Sequence, residues 1–236
     1  MIRLENLQKR FGRRVAVENL SLQIEEGALY GLLGHNGAGK STTIGMMLGQ
    51  VVPDAGRVLL DGFDVQRDRA KALGRVGAIF ETPSFYSYLS GWRNLEIFCS
   101  YGRSVSRQEM KEIVDIVRLG SRISDPVKVY SHGMRQRLAL AQALLPRPRI
   151  LILDEPSEGL DPEGIYEMRE LIRQLHRDFQ LTILICSHLL AEVELICPEV
   201  AIMRSGRLLF HGDWRKESSN VTLEQFYLQT VKGIEV

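Results

Sequence analysis

The chain has 236 residues, of which 44% are hydrophobic and 25% charged, a balance that suits one large globular domain and argues against a disordered chain. Thirty basic residues stand against 29 acidic ones, so the formal net charge of +1 provides no overall basic field for nucleic acid or anionic lipid. The three cysteines, Cys99, Cys186 and Cys197, form neither a C-x-x-C pair nor a zinc spacing, which favours a reducing compartment.

The N-terminal residues lack the apolar stretch of a secretion signal, and no run approaches the roughly 20 apolar residues needed to cross a bilayer. If the protein serves a membrane, we expect another chain to cross it. The first 25 residues instead predict two short strands, at residues 3–7 and 15–24, with a turn near Gly12. These strands should pair as an antiparallel sheet.

Three later runs, at residues 28–33, 150–153 and 181–185, are apolar at nearly every position. Strands that are buried on both faces have this pattern, and helical patterns separate them, so the sequence predicts a parallel sheet covered by helices. Residues from about 82 to 146 are mostly helical by pattern and lie between two of the core strands. Ligands of such sheets bind beyond the carboxyl ends of the strands.

Helix starts are marked by capping residues. Asp161 can cap a helix in which Pro162 takes the first position, and Ser106 with Glu109 forms a capping box. Thr222 with Gln225 forms a second capping box near the end of the sequence.

A glycine-rich phosphate loop follows the first apolar run and leads into a helix. It reads Gly-x4-Gly-Lys-Ser, and its candidate nucleotide-binding residues are Gly34, Asn36, Gly37, Ala38, Gly39, Lys40, Ser41 and Thr42. Glycines let backbone N–H groups surround phosphate oxygens, and the helix N-terminus adds a favourable dipole. Lys40 can reach the β- and γ-phosphates of ATP, while the Ser41 hydroxyl can bind Mg²⁺.

Two consecutive carboxylates end the second apolar run. Strand alternation should point Asp154 and Glu155 in different directions, so we expect them to have different roles. Asp154 is placed to hold Mg²⁺ through water, and Glu155 to polarise an attacking water as general base. The alternative is a solvated strand end that turns at Pro156.

A third motif, Tyr-Ser-His-Gly-Met, precedes the helix that leads to Asp154. Here the sequence resembles the ATP-binding cassette (ABC) family, whose signature is usually written Leu-Ser-Gly-Gly-Gln. Ser131 and Gly133 match the signature, whereas His132 takes the variable place and Met134 replaces the final polar residue. The resemblance implies that Ser131 and Gly133 contact the γ-phosphate of ATP held by another subunit. Arg135 and Arg137 fit a solvated helix face, with a nucleic-acid patch as the alternative.

The resemblance extends across most of the chain. Residues 157–161 are similar to the D-loop that crosses the dimer interface, which implicates Asp161, and His188 is similar to the switch histidine that contacts the γ-phosphate. Phe11 lies where the family has an aromatic side chain that stacks on adenine. The alternatives are a structural histidine after a strand and a phenylalanine buried in the core.

One position departs from the family pattern. The family usually has a glutamine after the strand that enters the helical subdomain, where it contacts Mg²⁺ and senses the transmembrane partner, and here Glu81 takes that place. A carboxylate in this loop resembles the branch that serves bacitracin and lantibiotic export and its ABC-2-type relatives. The alternative is that Glu81 is a solvated residue before the Thr82–Pro83 turn.

The resemblance implies an α/β fold, a P-loop NTPase core with an N-terminal antiparallel β subdomain and an inserted α-helical subdomain. We expect a single domain over residues 1–236, with the core at 1–81 and 147–236 and the helical part at about 82–146. The implied function is ATP binding and hydrolysis that powers a membrane transporter, with ATP and Mg²⁺ as cofactors.

The expected partners are integral-membrane permease subunits and a second copy of the chain or a paralogous ATPase subunit, at the cytoplasmic face of the cell membrane. No nucleic-acid partner is expected. The alternative is a soluble ABC-type ATPase that acts on nucleic acid or the ribosome. A chromosome-maintenance ATPase would need a long coiled coil, a translation factor would have two cassettes, and a metabolic P-loop kinase would lack the signature.

Overall fold

The computed structural model describes residues 1–80, 83–102, 104–217 and 221–233. The strands in these ranges are β1 Ile2–Phe11, β2 Arg14–Ile24, β3 Leu29–Leu33, β4 Ala55–Leu60, β5 Phe63–Asp64, β6 Val76–Ile79, β7 Ile150–Asp154, β8 Thr182–Cys186, β9 Glu199–Arg204 and β10 Arg207–Asp213. The α-helices are α1 Lys40–Met47, α2 Arg69–Leu73, α3 Gly91–Tyr101, α4 Arg107–Ile116, α5 His132–Leu144, α6 Pro162–Phe179, α7 Leu190–Ile196, α8 Trp214–Glu217 and α9 Leu223–Lys232.

The N-terminal strands form the predicted antiparallel layer. β1 pairs with β2 through a tight turn at Gly12, whose φ of 57° is readily adopted by glycine. β4 and β5 extend the sheet in the order β2-β1-β4-β5. The expected antiparallel sheet is therefore confirmed, with both strands longer than predicted.

The second sheet has the order β10-β9-β3-β8-β7-β6, and all of its strands except β10 are parallel. β3 and β8 are buried at every position, as their largely apolar sequences predict. β3, β7 and β8 lie side by side, so the loops that follow them meet at one edge of the sheet. This edge is where the sequence places its candidate site.

Alternate residues of the parallel strands serve two separate hydrophobic cores. Tyr30, Leu32 and Ile152 face the antiparallel layer, whereas Leu33 and Leu153 face the helices. The parallel sheet is therefore the middle layer of the molecule. Burial on both faces fixes the register of its strands, because a slip of one residue would exchange the two faces.

The segment between β6 and β7 contains α3, α4, α5 and two short 3-10 helices. Its side chains share one continuous core with the helical face of the parallel sheet. The α/β fold with an inserted helical part is thus confirmed, while the boundaries near residues 82 and 146 stay a prediction.

The predicted helix caps are present. Ser106 and Glu109 form the capping box of α4, Thr222 and Gln225 that of α9, and the Asp161 carboxylate accepts a hydrogen bond from Gly164 N at the start of α6. Each cap typically stabilises its helix by ~1 kcal/mol. None of the helices in the described ranges combines the length and apolar character required to span a membrane.

Candidate functional site

The phosphate loop joins β3 to α1 and depends on glycine at its tightest points. Gly37 and Gly39 have φ values of 83° and 108°, which side-chain-bearing residues rarely adopt. A Cβ atom on Gly39 would lie 2.5 Å from the carbonyl oxygen of Ala16, and one on Gly34 would lie 2.6 Å from that of Met203. The loop backbone therefore lies directly against β2 and β9.

Hydrogen bonds fix the loop from behind. Gly206 N donates to the Ala38 carbonyl at 2.8 Å, and Glu18 N donates to the Gly206 carbonyl at 2.8 Å. These bonds connect the loop to the β9–β10 turn and, through that turn, to β2. The backbone N–H groups at the start of α1 are consequently held in place before any ligand arrives.

Lys40, the first residue of α1, is only 7% exposed. Its ammonium group donates to the Gly34 carbonyl at 2.6 Å and lies 3.4 Å from the His35 carbonyl oxygen. These carbonyls keep the cation inside the loop. Ser41 and Thr42 follow in the first turn of α1, with Ser41 exposed.

A cavity of about 310 Å³ opens in front of the loop. Its lining consists of Phe11, Arg14, Ala16, Asn36, Gly37, Ala38, Gly39, Lys40, Ser41 and Thr42. Phe11 is 52% exposed at the end of β1, which excludes the alternative of a core phenylalanine. Most of the predicted nucleotide-binding residues are therefore brought together around one cavity.

The two carboxylates lie where β7 ends. The strand stops at Asp154, and Glu155 has a left-handed φ of 49°, so strand alternation does not govern the direction of the second carboxylate as expected. Such a backbone costs about 1 kcal/mol in a residue other than glycine. Burial raises the pKa of Asp154, opposed by a hydrogen bond from the Cys186 thiol, and the neighbouring Glu155 charge raises it further.

Glu155 reaches the end of the adjacent strand, β8. Its Oε2 lies 2.9 Å from His188 Nδ1, accepts from Ser187 Oγ at 3.2 Å, and accepts from His188 N at 3.3 Å. The backbone N–H of Glu155 also donates to the Cys186 carbonyl at 2.8 Å. Two segments that are distant in sequence thus form one polar cluster beside the phosphate loop strand.

The signature segment begins α5. Ser131 caps the helix by accepting a hydrogen bond from Met134 N at 3.2 Å, and its side chain is exposed. The nearest atom to a Cβ on Gly133 would be a Leu160 methyl at 3.6 Å, so this glycine does not fill a tight space. Neither Ser131 nor Gly133 belongs to the described residues that line the phosphate loop cavity.

The two arginines in the first turns of α5 differ in exposure. Arg137 is 13% exposed, forms an ion pair with Glu167 at 2.6 Å and donates to the Val117 carbonyl. It therefore joins α5 to α6 and to the end of α4, and the expectation of a solvated arginine at this position is wrong. Arg135 is exposed, as expected.

Residues 157–161 connect the Glu155 turn to α6. Asp161 caps α6, and the carbonyl of Glu158 lies 2.8 Å from His132 Nε2 of the signature segment. Glu81, the last predicted metal ligand, lies outside the described residues.

Sequence reasoning missed three residues of this site. Arg14 lines the cavity, Ser187 holds Glu155, and His132 contacts the Glu158 carbonyl. Ser187 and His132 are each adjacent to a residue already selected from a motif. Arg14 could have been found only from the hairpin geometry, which returns β2 alongside Phe11.

Comparison with known proteins agrees with this geometry. Residues 17–158 match the family model described as "ABC transporter". An uncharacterized ABC transporter ATP-binding protein, YhcH of Bacillus subtilis (strain 168), is 45% identical over 89% of this chain and 68% of its own length. The bacitracin transport ATP-binding protein BcrA of Bacillus licheniformis is 40% identical over the same shares, and the lantibiotic transport protein SrtF of Streptococcus pyogenes is 36% identical over 91% of both chains.

A solved structure has the same fold across its length. It is described as the ATP binding subunit of an ABC transporter, and it superposes with a TM-score of 0.87 at 26% identity, covering 98% of this chain and 99% of its own. A phosphate loop, an adjacent carboxylate pair and a signature segment on this fold agree with the family match, and the chain therefore belongs to the ABC transporter family, as an ATP-binding subunit that hydrolyses ATP.

Proposed function

We propose that the phosphate loop cavity binds ATP and that the carboxylate cluster beside it carries out hydrolysis. In this proposal Phe11 stacks on adenine, and the loop from Gly34 to Thr42 holds the phosphates with the Lys40 ammonium. The observation that carries the proposal is the convergence of the loop after β3, the Asp154–Glu155 pair at the end of β7 and His188 after β8, at the ends of three adjacent parallel strands.

The residues present fit a Mg²⁺ ion. Ser41 and Asp154 offer a hydroxyl and a carboxylate, the hard oxygen donors that Mg²⁺ prefers together with substrate phosphates. The half-buried Asp154, with its raised pKa, is a carboxylate whose charge a cation would stabilise. When bound, Mg²⁺ would neutralise charge on the phosphates. Glu81 remains a third candidate ligand from the sequence alone.

Glu155 is proposed as the general base that orients and polarises the attacking water. Its Oε2 already has three partners at the end of β8, which fix the carboxyl group in one position. His188 is proposed to contact the γ-phosphate. Because its Nδ1 faces Glu155, the ring can offer a second N–H from Nε2 only in the protonated form.

A complete site is proposed to need two subunits. Ser131 and Gly133 lie at an exposed helix N-terminus that does not line the cavity of their own chain. A helix N-terminus is well suited to contact phosphate, so the signature segment of one subunit would complete the cavity of another. Asp161 would lie at the same interface. The second subunit is a copy of this chain or a paralogue.

The partner of the dimer is proposed to be an integral-membrane permease, which would place the protein at the inner face of the cell membrane. Its cargo is proposed to be a peptide antibiotic or another drug. The identity to bacitracin and lantibiotic transport proteins supports this class of cargo. ATP-driven closure and opening of the dimer would shift the permease between two states.

A first experiment tests the nucleotide site. ATP binding and phosphate release would be measured with and without Mg²⁺ for the wild type, for Lys40→Ala, and for Lys111→Ala on the exposed face of α4 as the matched control. Binding should weaken only in Lys40→Ala. Equal binding by both variants would place the nucleotide elsewhere.

A second experiment tests the cargo. A host that lacks the chain would be complemented with the wild type or with Glu155→Gln, and the inhibitory concentrations of bacitracin and of a lantibiotic would be measured. The wild type should raise one of these concentrations and the variant should not. Identical susceptibility to both compounds would remove peptide antibiotics from the proposal.

A further inference from the structure

His132 occupies the variable position of the signature segment, and it contacts a different loop of the same chain. Its Nε2 lies 2.8 Å from the backbone carbonyl oxygen of Glu158, 26 residues away. A carbonyl oxygen can only accept, so Nε2 must carry the proton in this bond. Both the neutral ring protonated at Nε2 and the imidazolium can donate here, and the bond does not depend on the charge of the ring.

The surroundings of the ring are shaped to receive it. Gly159 has a left-handed φ of 72°, and a Cβ there would lie 3.4 Å from His132 Nε2, so the ring packs over this glycine. The next residue, Leu160, reaches the neighbourhood of Gly133 and packs, partly buried, against the same core as Met134. The two segments thus share a small interface in which His132 supplies the hydrogen bond.

Both segments are also anchored at the start of a helix. Ser131 caps α5, and Asp161 caps α6. Each helix therefore fixes one end of its own segment, but neither cap sets the position of one segment relative to the other. The His132–Glu158 bond joins the two directly.

We infer that His132 is a positioning residue that fixes the signature segment to residues 157–161, so that one subunit presents both segments to the other as a rigid unit. This inference rests on the proposed two-subunit site. A dimer that must align two independent loops would lose more conformational freedom on closing than one whose loops are already joined. His132 itself need not touch the nucleotide.

The test compares His132→Leu, which has similar bulk and no donor, with His132→Gln, whose amide can donate to the same carbonyl. A typical hydrogen bond of this kind corresponds to about a three- to tenfold change in an equilibrium. We expect kcat per subunit in His132→Leu to fall by about this factor. The KM for ATP should stay unchanged, because the phosphate loop is not altered, and His132→Gln should recover most of the loss.

The thermal midpoint of His132→Leu should fall by no more than about 2–4 °C, the shift that one such hydrogen bond corresponds to in a domain of this size, so the loss of kcat would not reflect unfolding. The inference is overturned if His132→Leu retains full kcat, or if Leu and Gln variants lose activity equally. Its failure is distinguishable from failure of the proposed two-subunit site, since in the latter case an equimolar mixture of Lys40→Ala and Ser131→Arg would recover no ATPase activity.

Discussion

The phosphate loop and the signature segment each place glycine at a helix N-terminus, but the space around the glycine differs between the two regions. The loop is buried against β2 and β9, and a Cβ on Gly39 would meet the Ala16 carbonyl at 2.5 Å. The signature segment is exposed, and a Cβ on Gly133 would find its nearest neighbour at 3.6 Å. Glycine is needed in the first region by the fold of the chain itself. In the second region, the contacts of the described residues do not require glycine at position 133.

This difference indicates that glycine has a different role in each region. Gly133 lies in α5, where glycine weakens a helix relative to alanine by up to about 1 kcal/mol. A residue that costs stability and relieves no clash within its own chain has its explanation outside that chain. We take this as the physical argument for a partner surface that approaches Gly133 closely.

In the proposed two-subunit site, one subunit contributes the loop half, residues 34–42 with Glu155, and the other contributes the signature half, residues 130–134. The largest effect is expected at Glu155. Glu155→Gln should retain ATP binding, because the loop and Lys40 are unchanged, and should lower hydrolysis by ~10²–10⁴-fold, the usual contribution of a general base. Nucleotide binding and steady-state phosphate release measure the two effects separately.

Glu224→Gln, an equivalent change on the exposed face of α9, serves as control and should behave as the wild type. The ATP-bound dimer should accumulate in Glu155→Gln, which size-exclusion chromatography detects. Hydrolysis within a few-fold of the wild type would mean that the general base lies elsewhere.

The next effect tests whether the two regions belong to different subunits of one site. Lys40→Ala damages the loop half and Ser131→Arg the signature half, so each variant alone should be inactive as a homodimer. In an equimolar mixture, half of the dimers are mixed, and each contains one intact site of two. The mixture should therefore recover roughly a quarter of the wild-type rate.

ATPase assays at a fixed total protein concentration measure this recovery, with each variant mixed with itself as the control. A mixture as inactive as its components would contradict a site shared between two copies of this chain. Wild-type activity should likewise rise more than linearly with protein concentration where monomers dominate.

A third prediction compares the two glycines directly. Gly39→Ala should abolish ATP binding and lower thermal stability, because the new methyl meets the Ala16 carbonyl and the backbone is left-handed. Gly133→Ala should leave ATP binding by the monomer intact and raise its thermal midpoint slightly through helix propensity, while ATPase activity falls.

Thermal unfolding, nucleotide binding and phosphate release on the same two proteins give all of these quantities. Full activity in Gly133→Ala would show that the signature glycine does not face a close partner. The conclusion that Gly133 serves another subunit would then be wrong.

The sequence predicted most of the fold because its strands and loops carry strong local signals. Residues 181–185 are apolar except for Thr182 and form β8 with a shift of one residue, and Ser106 with Glu109 forms the predicted capping box. The connection between α5 and α6 through Arg137 was not predictable, because an arginine that forms an ion pair across two helices and one on a solvated face look alike in sequence. The same holds for His132, whose partner is a backbone carbonyl and leaves no trace in residue identity.

For the carboxylate pair, the sequence did not reveal what sets the direction of the second side chain. Asp154 and Glu155 were selected because they end a buried strand, and their directions were expected to follow from alternation. The left-handed backbone of Glu155 breaks the alternation, and contacts with Ser187 and His188 on the next strand set its direction instead. Such contacts between distant segments require the sheet order, which the sequence does not state.

The smallest predicted effect concerns Arg14, a cavity residue that belongs to none of the sequence motifs. Its side chain lines the cavity, and its Nη2 lies 3.3 Å from where a Cβ of Gly37 would be. Because Arg14 is exposed, its charge acts on bound phosphates through a largely aqueous medium, where a unit-charge contact at 4 Å changes affinity roughly fivefold. Arg14→Gln should therefore raise the Kd for ATP by about this factor, with less effect at high salt and none on the binding of adenosine.

Arg13→Gln is the matched control, since Arg13 is exposed in the same hairpin and does not line the cavity. A Kd for ATP that is unchanged in Arg14→Gln, or raised equally in both variants, would mean that the cavity gains nothing specific from Arg14. A selective, salt-dependent change would instead show that Arg14, which pairs with Phe11 across the hairpin, supplies a cation for the phosphates. The antiparallel layer would then contribute a charge to the nucleotide cavity as well as part of its lining. The signature segment, in the proposed dimer, would act only on the cavity of the other subunit.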